Sequence, residues 1–146
     1  MTLETVRIPP LHLTLMRIAA QTAAPEEACG LILGHTEEAI AVVCAIAPSL
    51  NRAEGDRARS FAIDPDLQFR LQRDLRGGRE SVIGVYHSHP NGKAEPSPRD
   101  AAMAFEAGFI WVVVGVDGAG ETVASAHVAT GDTGGEAFRR IKLLSN

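Results

Sequence analysis

The sequence predicts an α/β fold that occupies residues 1–146 as a single domain. Apolar residues recur at two spacings, one typical of amphipathic helices and one typical of strands, and the two kinds of segment alternate along the chain. The chain has 146 residues, of which 45% are hydrophobic. This length and composition suit one domain with a hydrophobic core of its own.

The first half of the chain predicts a helix, a strand hairpin, a polar loop, a short strand and a second helix. These segments span, in order, residues 9–22, 31–33 with 39–47, 48–59, 61–63 and 64–76. Leu11, Leu15 and Ile18 have helical spacing in the first segment. Asp64 before Pro65 is a typical start for the second helix. The polar loop is charged and contains glycine, so we expect it to be mobile.

The second half predicts a central strand, a helix and two further strands. These segments span residues 82–89, 98–107, 109–116 and 122–129. Asp117 and Gly118 form the turn between the last two strands. The C-terminal segment has two interpretations, because its apolar residues fit either one face of a helix or one side of an edge strand.

Composition argues against nucleic acid and membranes as partners. The formal net charge is −4, and basic residues are scattered over residues 52–79 rather than gathered on one aromatic-rich face. That local group of arginines still suits an acidic partner. No apolar stretch approaches the roughly 20 residues that span a membrane, and the N-terminus lacks the pattern of a signal peptide. We therefore expect a cytoplasmic protein.

Two cysteines, Cys29 and Cys44, lie on neighbouring predicted strands, and in a cytosolic protein we expect both to be reduced and largely buried. An alternative makes Cys29 a nucleophile with a histidine base, although no local signature supports it. The sequence also lacks the motifs of helical zinc proteases, zinc deaminases and serine hydrolases. We expect His12, His35 and His127 to be surface or structural residues.

A His-x-His pair follows the apolar run of residues 81–86. Residues at positions i and i+2 of a strand project from the same face, so His87 and His89 can share one metal ion. Asp100 would supply a third ligand. Three protein ligands with a fourth position left to water are typical of catalytic zinc. The pair by itself also fits a solvated strand edge.

The segment around Asp100 has a second interpretation. Ser97, Pro98 and Asp100 fit the start of a helix, with serine at the N-cap, proline at the first position and an acid in the first turn. Capping needs no histidines, and a helix start beside the pair would be a rigid mount for a carboxylate ligand. Both interpretations of this segment therefore stay open.

These residues resemble the JAMM motif of MPN-domain zinc metallopeptidases, which consists of His-x-His, a loop and Ser-x-x-Asp. The matching residues are His87, His89, Ser97 and Asp100. Residues 25–34 resemble the upstream segment in which that family carries a glutamate, and Glu27 occupies the matching place. The resemblance runs from about residue 11 to about residue 128, which is most of the chain.

The resemblance implies an MPN domain of cytidine deaminase-like architecture, with a central mixed β-sheet flanked by helices. It implies one Zn²⁺ per chain, held by His87, His89 and Asp100, although such ligands accept other divalent ions. Glu27 would move protons as general base and acid, and Ser97 would stabilise the oxyanion. The neighbouring Glu26 is expected to be replaceable.

The chain is similar in size to the compact prokaryotic members of that family. This similarity implies a partner that is a small ubiquitin-like or sulfur-carrier protein ending in Gly-Gly. The implied reaction is hydrolysis after the terminal glycine, which releases cysteine, another amino acid or a lysine-linked protein. Residues 48–59 and 91–95 would form the walls of a narrow groove. The alternative is an inactive MPN scaffold that binds partners, but such members typically lack a ligand. The sequence does not indicate the oligomeric state.

Overall fold

The computed structural model describes residues 2–132 and 135–146. Its elements, in chain order, are β1 (Thr5–Arg7), α1 (Pro10–Ala23), β2 (Cys29–Glu37), β3 (Ile40–Ser49), α2 (Pro65–Asp74), β4 (Ser81–His89), α3 (Pro98–Met103), β5 (Ile110–Val116), β6 (Thr122–Ala129) and β7 (Phe138–Leu144). The combination of a mixed sheet with few helices is consistent with the predicted α/β class.

The strands form one mixed sheet that closes into a barrel in the order β1, β3, β2, β4, β5, β6, β7. β7 pairs antiparallel with β6 and parallel with β1, so the ambiguous C-terminal segment is a strand with neighbours on both sides. The sequence predicted a sheet flanked by helices, and it did not predict that this sheet closes into a barrel. The closure depends on β1, which is three residues long and too short to be predicted from periodicity.

The first helix packs against the barrel near β4 and β5. Its buried residues are Leu13, Met16 and Ala20, which join the main hydrophobic core. The residues whose spacing predicted the helix are instead exposed. They are Leu11, Leu15 and Ile18, and Leu11 is the most exposed at 65%. Asp64 caps α2, and its side chain accepts the Asp66 N–H. In the described part of the chain, no helix is long and apolar enough to cross a membrane.

Two predicted segments differ in the structure. Residues 61–63 are not a strand, because their backbone hydrogen-bonds to the loop that follows β3 and not to a neighbouring strand. The Asn51 side chain accepts the Ala62 N–H at 3.1 Å and donates to the Ser60 carbonyl at 3.0 Å. The helix predicted over residues 98–107 ends at Met103, because the chain turns there to bury Ala104 in an apolar cluster.

The central strand β4 lies between β2, which is antiparallel to it, and β5, which is parallel. β4 and β5 approach closely at Gly84, where a Cβ would collide with the backbone of Ile110. β4 ends at His89, directly before Pro90, and α3 begins a few residues later. The carboxyl end of β4 and the first turn of α3 therefore meet at one end of the barrel.

Candidate metal centre and catalytic site

Two buried histidines lie at the carboxyl end of β4. His87 and His89 project from the same face of the strand, and their Nε2 atoms are 3.1 Å apart. Ser88 points the opposite way, and its hydroxyl accepts the Ala28 N–H at 2.7 Å, which fits the structural role predicted for it. This bond fastens β4 to the chain just before β2 and fixes where the histidines lie.

Helix α3 brings Asp100 to the two histidines. Asp100 Oδ2 lies 2.9 Å from His87 Nε2 and 3.1 Å from His89 Nε2. The same oxygen accepts the Ser97 N–H at 2.8 Å, while Ser97 Oγ accepts the Asp100 N–H at 3.1 Å. These two bonds form a capping box. The two interpretations of this segment are therefore compatible, because the helix cap also places the carboxylate beside the imidazoles.

Three atoms, His87 Nε2, His89 Nε2 and Asp100 Oδ2, have the spacing that a divalent ion requires. They are 2.9–3.1 Å from one another, so one point can lie about 2.0–2.2 Å from all of them, which is the range of zinc–nitrogen and zinc–oxygen bonds. Three acceptor atoms this close need a shared cation or shared protons. Ligand atoms of Glu27, His87 and His89 also lie within 4.8 Å of one another. The donor set therefore fits a metal ion.

The two imidazoles are oriented by different contacts. His89 Nδ1 lies 3.1 Å from the Lys93 carbonyl. Since a carbonyl only accepts, we assign the proton to Nδ1, which leaves the Nε2 lone pair facing the site. His87 stacks on Phe61 at 4.4 Å between ring centroids and meets the edge of Trp111 at 5.7 Å. Its Nδ1 is buried and has no hydrogen-bond partner among the described residues. Packing thus orients His87, whereas a backbone bond orients His89.

Burial and neighbouring charge move the pKa values of this group in different directions. Burial lowers the pKa of His87, which keeps its imidazole neutral and able to act as a ligand. Burial favours a higher pKa for Asp100, but hydrogen bonds with His87 and His89 outweigh it and hold that pKa below its usual range. Burial favours a lower pKa for His89, but the bond to Asp100 and its charge raise it overall. The site is therefore suited to a positive charge.

Glu27 lies next to these residues because β2 runs alongside β4, with Cys29 opposite His87. Its backbone N–H donates to the Arg57 carbonyl, and its carbonyl accepts from the Asn51 side chain. The side chain is 4% exposed, and its Oε1 has no hydrogen-bond partner among the described residues. Burial raises the pKa of Glu27 to about 7. A carboxyl group of this pKa can accept and release a proton near neutral pH.

A cleft of about 750 Å³ opens onto Glu27, His89 and Ser97, and we call it the main cleft. Ala58 and Arg59 line one part of it, and the loop of residues 91–95 lines another. These are parts of the two segments predicted to form groove walls. Glu26 is exposed, in contrast to its neighbour Glu27.

Both cysteines are free thiols, but only one is buried. Burial raises the pKa of Cys29 to about 11, so its thiolate is scarce at neutral pH and the alternative of a cysteine nucleophile has no support here. The prediction that Cys44 is buried is wrong, because this position of β3 faces outward.

The other three histidines have different surroundings. His35 forms ion pairs with Glu37 and Glu80 at 3.1 Å and 3.0 Å. His127 is buried and lies 2.8 Å from the Ser125 hydroxyl. His12 lies on α1, and its buried Nδ1 has no hydrogen-bond partner within residues 2–132 and 135–146. None of these three belongs to the group of possible metal ligands found among the described residues.

Several residues that shape the site were not predicted. Phe61 and Trp111 enclose His87, and Asn51 ties the loop after β3 to Glu27. They come from separate segments that meet only in the folded barrel. The sequence contains one tryptophan and few other aromatic residues, but nothing in its local pattern places them against His87.

The chain is similar to one known protein family and to several named proteins. The family model described as prokaryotic homologs of the JAB domain matches residues 9–129. A desampylase from Haloferax volcanii is 29% identical over 108 residues, which cover 74% of this chain and 73% of that protein. A probable TtuB-protein conjugate cleaving protease from Thermus thermophilus is 33% identical over 96 residues, which cover 65% of this chain and 60% of that protein.

The fold is similar to that of solved structures. A protein from Desulfitobacterium hafniense, determined in solution, superposes with a TM-score of 0.80 at 22% sequence identity. The alignment covers 97% of this chain and 92% of that one. At this identity the likeness establishes the fold alone.

Proposed function

Because the chain belongs to the family of prokaryotic homologs of the JAB domain, we propose that it is a zinc-dependent peptidase or isopeptidase. The proposed reaction is hydrolysis of the bond after the C-terminal Gly-Gly of a small ubiquitin-like or sulfur-carrier protein. The observation that carries the proposal is the convergence of His87, His89 and Asp100 within 3.1 Å of one another, with Glu27 buried beside them.

In this proposal His87, His89 and Asp100 would hold one Zn²⁺. Bound there, a divalent ion would supply a water of lowered pKa and would polarise the scissile carbonyl. Glu27 would accept the proton of the attacking water and pass it to the leaving amine, as a carboxylate within hydrogen-bond reach of that water can. In the metal-free site burial raises its pKa to about 7. Its Oε1 makes no competing hydrogen bond with the described residues.

Ser97 is proposed to stabilise the oxyanion that forms on the scissile carbonyl. Its Oγ accepts the Asp100 N–H, so its own O–H stays free to donate. It lines the main cleft together with Glu27 and His89. The capping box keeps the Ser97 side chain in one position relative to the proposed ligand Asp100.

The proposed substrate class draws on the relatives and on the residues that line the main cleft. One relative is named as a protease that cleaves TtuB–protein conjugates, and another as a desampylase. We extend conjugate cleavage to this chain. Four prolines line the main cleft: Pro25, Pro90, Pro96 and Pro98. Their fixed φ angles favour a rigid wall, and we propose that this wall selects glycine beside the cleaved bond.

Metal analysis joined to an assay on carrier–cysteine and carrier–lysine conjugates tests this function. We expect about one zinc per chain, cleavage after the terminal glycine by mass spectrometry, loss of activity with a chelator and recovery with zinc. Iodoacetamide should leave activity intact. A zinc-loaded protein that binds carriers but cleaves none would support the scaffold alternative, and inhibition by iodoacetamide alone would support a cysteine hydrolase.

A further inference from the structure

A second space of about 610 Å³, widely open to solvent, adjoins the main cleft, and we call it the side cavity. It is lined by Ser97, Pro98, Ala101, His127, Phe138 and Arg140 among others. Residues 96–98 line both the main cleft and the side cavity. The two spaces therefore meet at Ser97, the residue proposed to contact the scissile carbonyl.

One wall of the side cavity is built by β6 and β7. His127 lies directly opposite Arg140 in this antiparallel pair, so their side chains share one face of the sheet. Phe138 lies two residues before Arg140 and therefore projects to the same side. Its ring centroid is 6.1 Å from that of His127. The wall thus combines an aromatic surface with a cationic side chain.

His127 is held rigidly in this wall. Ser125 donates its hydroxyl proton to the Ala94 carbonyl, so its oxygen accepts the Nε2–H of His127 at 2.8 Å. Burial, followed by the charge of Arg140, lowers the pKa of His127 to about 4. The imidazole is therefore neutral at physiological pH. The positive charge at the side cavity comes from Arg140 and from Arg139, and the Arg139 guanidinium already donates to a backbone carbonyl, that of Leu3.

The guanidinium of Arg140 is free to bind an anion. Within residues 2–132 and 135–146, the arginines that form ion pairs are at positions 52, 59, 73 and 79. Arg140 forms none in this part of the chain. Glu136 also lines the side cavity but forms no such pair with it. A planar guanidinium matches a carboxylate with two parallel hydrogen bonds.

We propose that the side cavity binds the leaving group of the substrate and that Arg140 recognises a carboxylate on it. This inference rests on the proposed function. A substrate with its carbonyl at Ser97 extends in two directions, and the main cleft, between the two loops, accommodates the Gly-Gly end. The chain beyond the cleaved bond then enters the side cavity. The carboxylate is either the α-carboxylate of a single amino acid or an acidic side chain of a leaving peptide.

Paired probes distinguish these two sources. The carrier protein that gives turnover in the conjugate assay is linked to cysteine or to cysteinamide, and separately to Cys-Glu-amide or to Cys-Gln-amide. In each pair the two probes differ by one carboxylate. We expect the wild-type enzyme to prefer the acidic member of one pair. Arg140→Gln should lower kcat/KM for that acidic probe about ten- to a hundredfold and leave its neutral counterpart unchanged.

Arg140→Lys should retain part of the preference, because lysine keeps the charge but not the planar fork. Lys142→Gln is the matched control, since it removes one positive charge from the same strand at a residue outside the side cavity. It should retain the full preference. An equal loss on acidic and neutral probes in Arg140→Gln would mean a structural role and overturn the inference, as would a wild type without preference in either pair. Absence of all turnover would instead overturn the proposed function.

Discussion

Asp100 Oδ2 lies 2.9 Å from His87 Nε2 and accepts the Ser97 N–H at 2.8 Å. One oxygen atom therefore joins the cap of α3 to the candidate metal centre. A change at Asp100 should affect both metal binding and helix stability, and a matched variant is needed to separate the two effects.

The variant Asp100→Asn should lose zinc affinity but keep much of its helix cap. An amide oxygen can still accept the Ser97 N–H, whereas it is a poorer zinc ligand than a carboxylate. We expect the loss of affinity to exceed the roughly 10–100-fold cost of removing a group that only hydrogen-bonds to a ligand. Competition with a chromophoric chelator measures it. Asp66→Asn makes the same change in the first turn of α2 and should keep full affinity. Wild-type affinity in Asp100→Asn would refute the ligand set.

The variant Ser97→Ala should separate catalysis from capping. Loss of the oxyanion contact should lower kcat about 10²–10³-fold, and loss of the cap should cost about 1 kcal/mol of stability. Zinc content should not change. Asp64→Ala removes the corresponding cap of α2, so it should cost similar stability and leave kcat intact. If Ser97→Ala and Asp64→Ala have the same kcat, Ser97 is only a cap.

Local spacing predicted the parts of the site that lie within one element. The shared face of His87 and His89 follows from strand periodicity, and the cap at Ser97 follows from the residues that start α3. The burial of Glu27 does not follow from its own surroundings, because it depends on the pairing of β2 with β4. Here the family resemblance supplied what periodicity did not.

Long-range closure was the part of the fold that the sequence did not reveal. The barrel closes through the pairing of β1 and β7, two strands from opposite ends of the chain. Neither strand has a local sequence pattern that indicates which strand it pairs with. The enclosure of His87 by Phe61 and Trp111 has the same origin, since side-chain contacts between distant segments exist only after the sheet has formed.

The variant Glu27→Gln should abolish turnover and keep zinc. An amide cannot accept the proton of the attacking water, and loss of a general acid–base group costs about 10²–10⁴-fold in rate. Single-turnover kinetics on a conjugate, with metal analysis of the same sample, measure both properties. Glu26→Gln changes the exposed neighbour and should be fully active. Persistent turnover in Glu27→Gln would make the assignment of the base wrong.

The same variant should stabilise the zinc-free protein at alkaline pH. Burial raises the pKa of Glu27 from 4.5 to about 7 in the folded state. The folded protein therefore binds more protons than the unfolded chain between these values, and its stability falls as the pH rises through this window. Glutamine removes that penalty, so we expect a gain of about 1–3 kcal/mol at pH 8 and almost none at pH 4. Urea unfolding at both pH values measures it, and an equal effect at both would contradict the burial of a titrating carboxyl group.

The variant Gly115→Ala should disturb the site from a distance. A Cβ at this position of β5 would lie 2.5 Å from the Gly92 carbonyl oxygen and 2.8 Å from the Lys93 carbonyl carbon. The loop would have to move, and the Lys93 carbonyl is the group that orients His89. We expect about a 10–100-fold loss of zinc affinity, as for other groups that hydrogen-bond to a metal ligand. Overpacking should also lower the free energy of unfolding by about 1–3 kcal/mol.

Gly118→Ala is the control for this change, because a Cβ there meets no atom within 4 Å. It should alter neither zinc affinity nor stability by more than a small amount. Competition with a chelator and urea unfolding, applied to both variants, separate a local loop shift from general damage. A Gly115→Ala protein that is destabilised but binds zinc as tightly as the wild type would show that the Lys93 carbonyl does not control His89. The orientation of that imidazole would then have to come from Asp100 and the walls of the cleft.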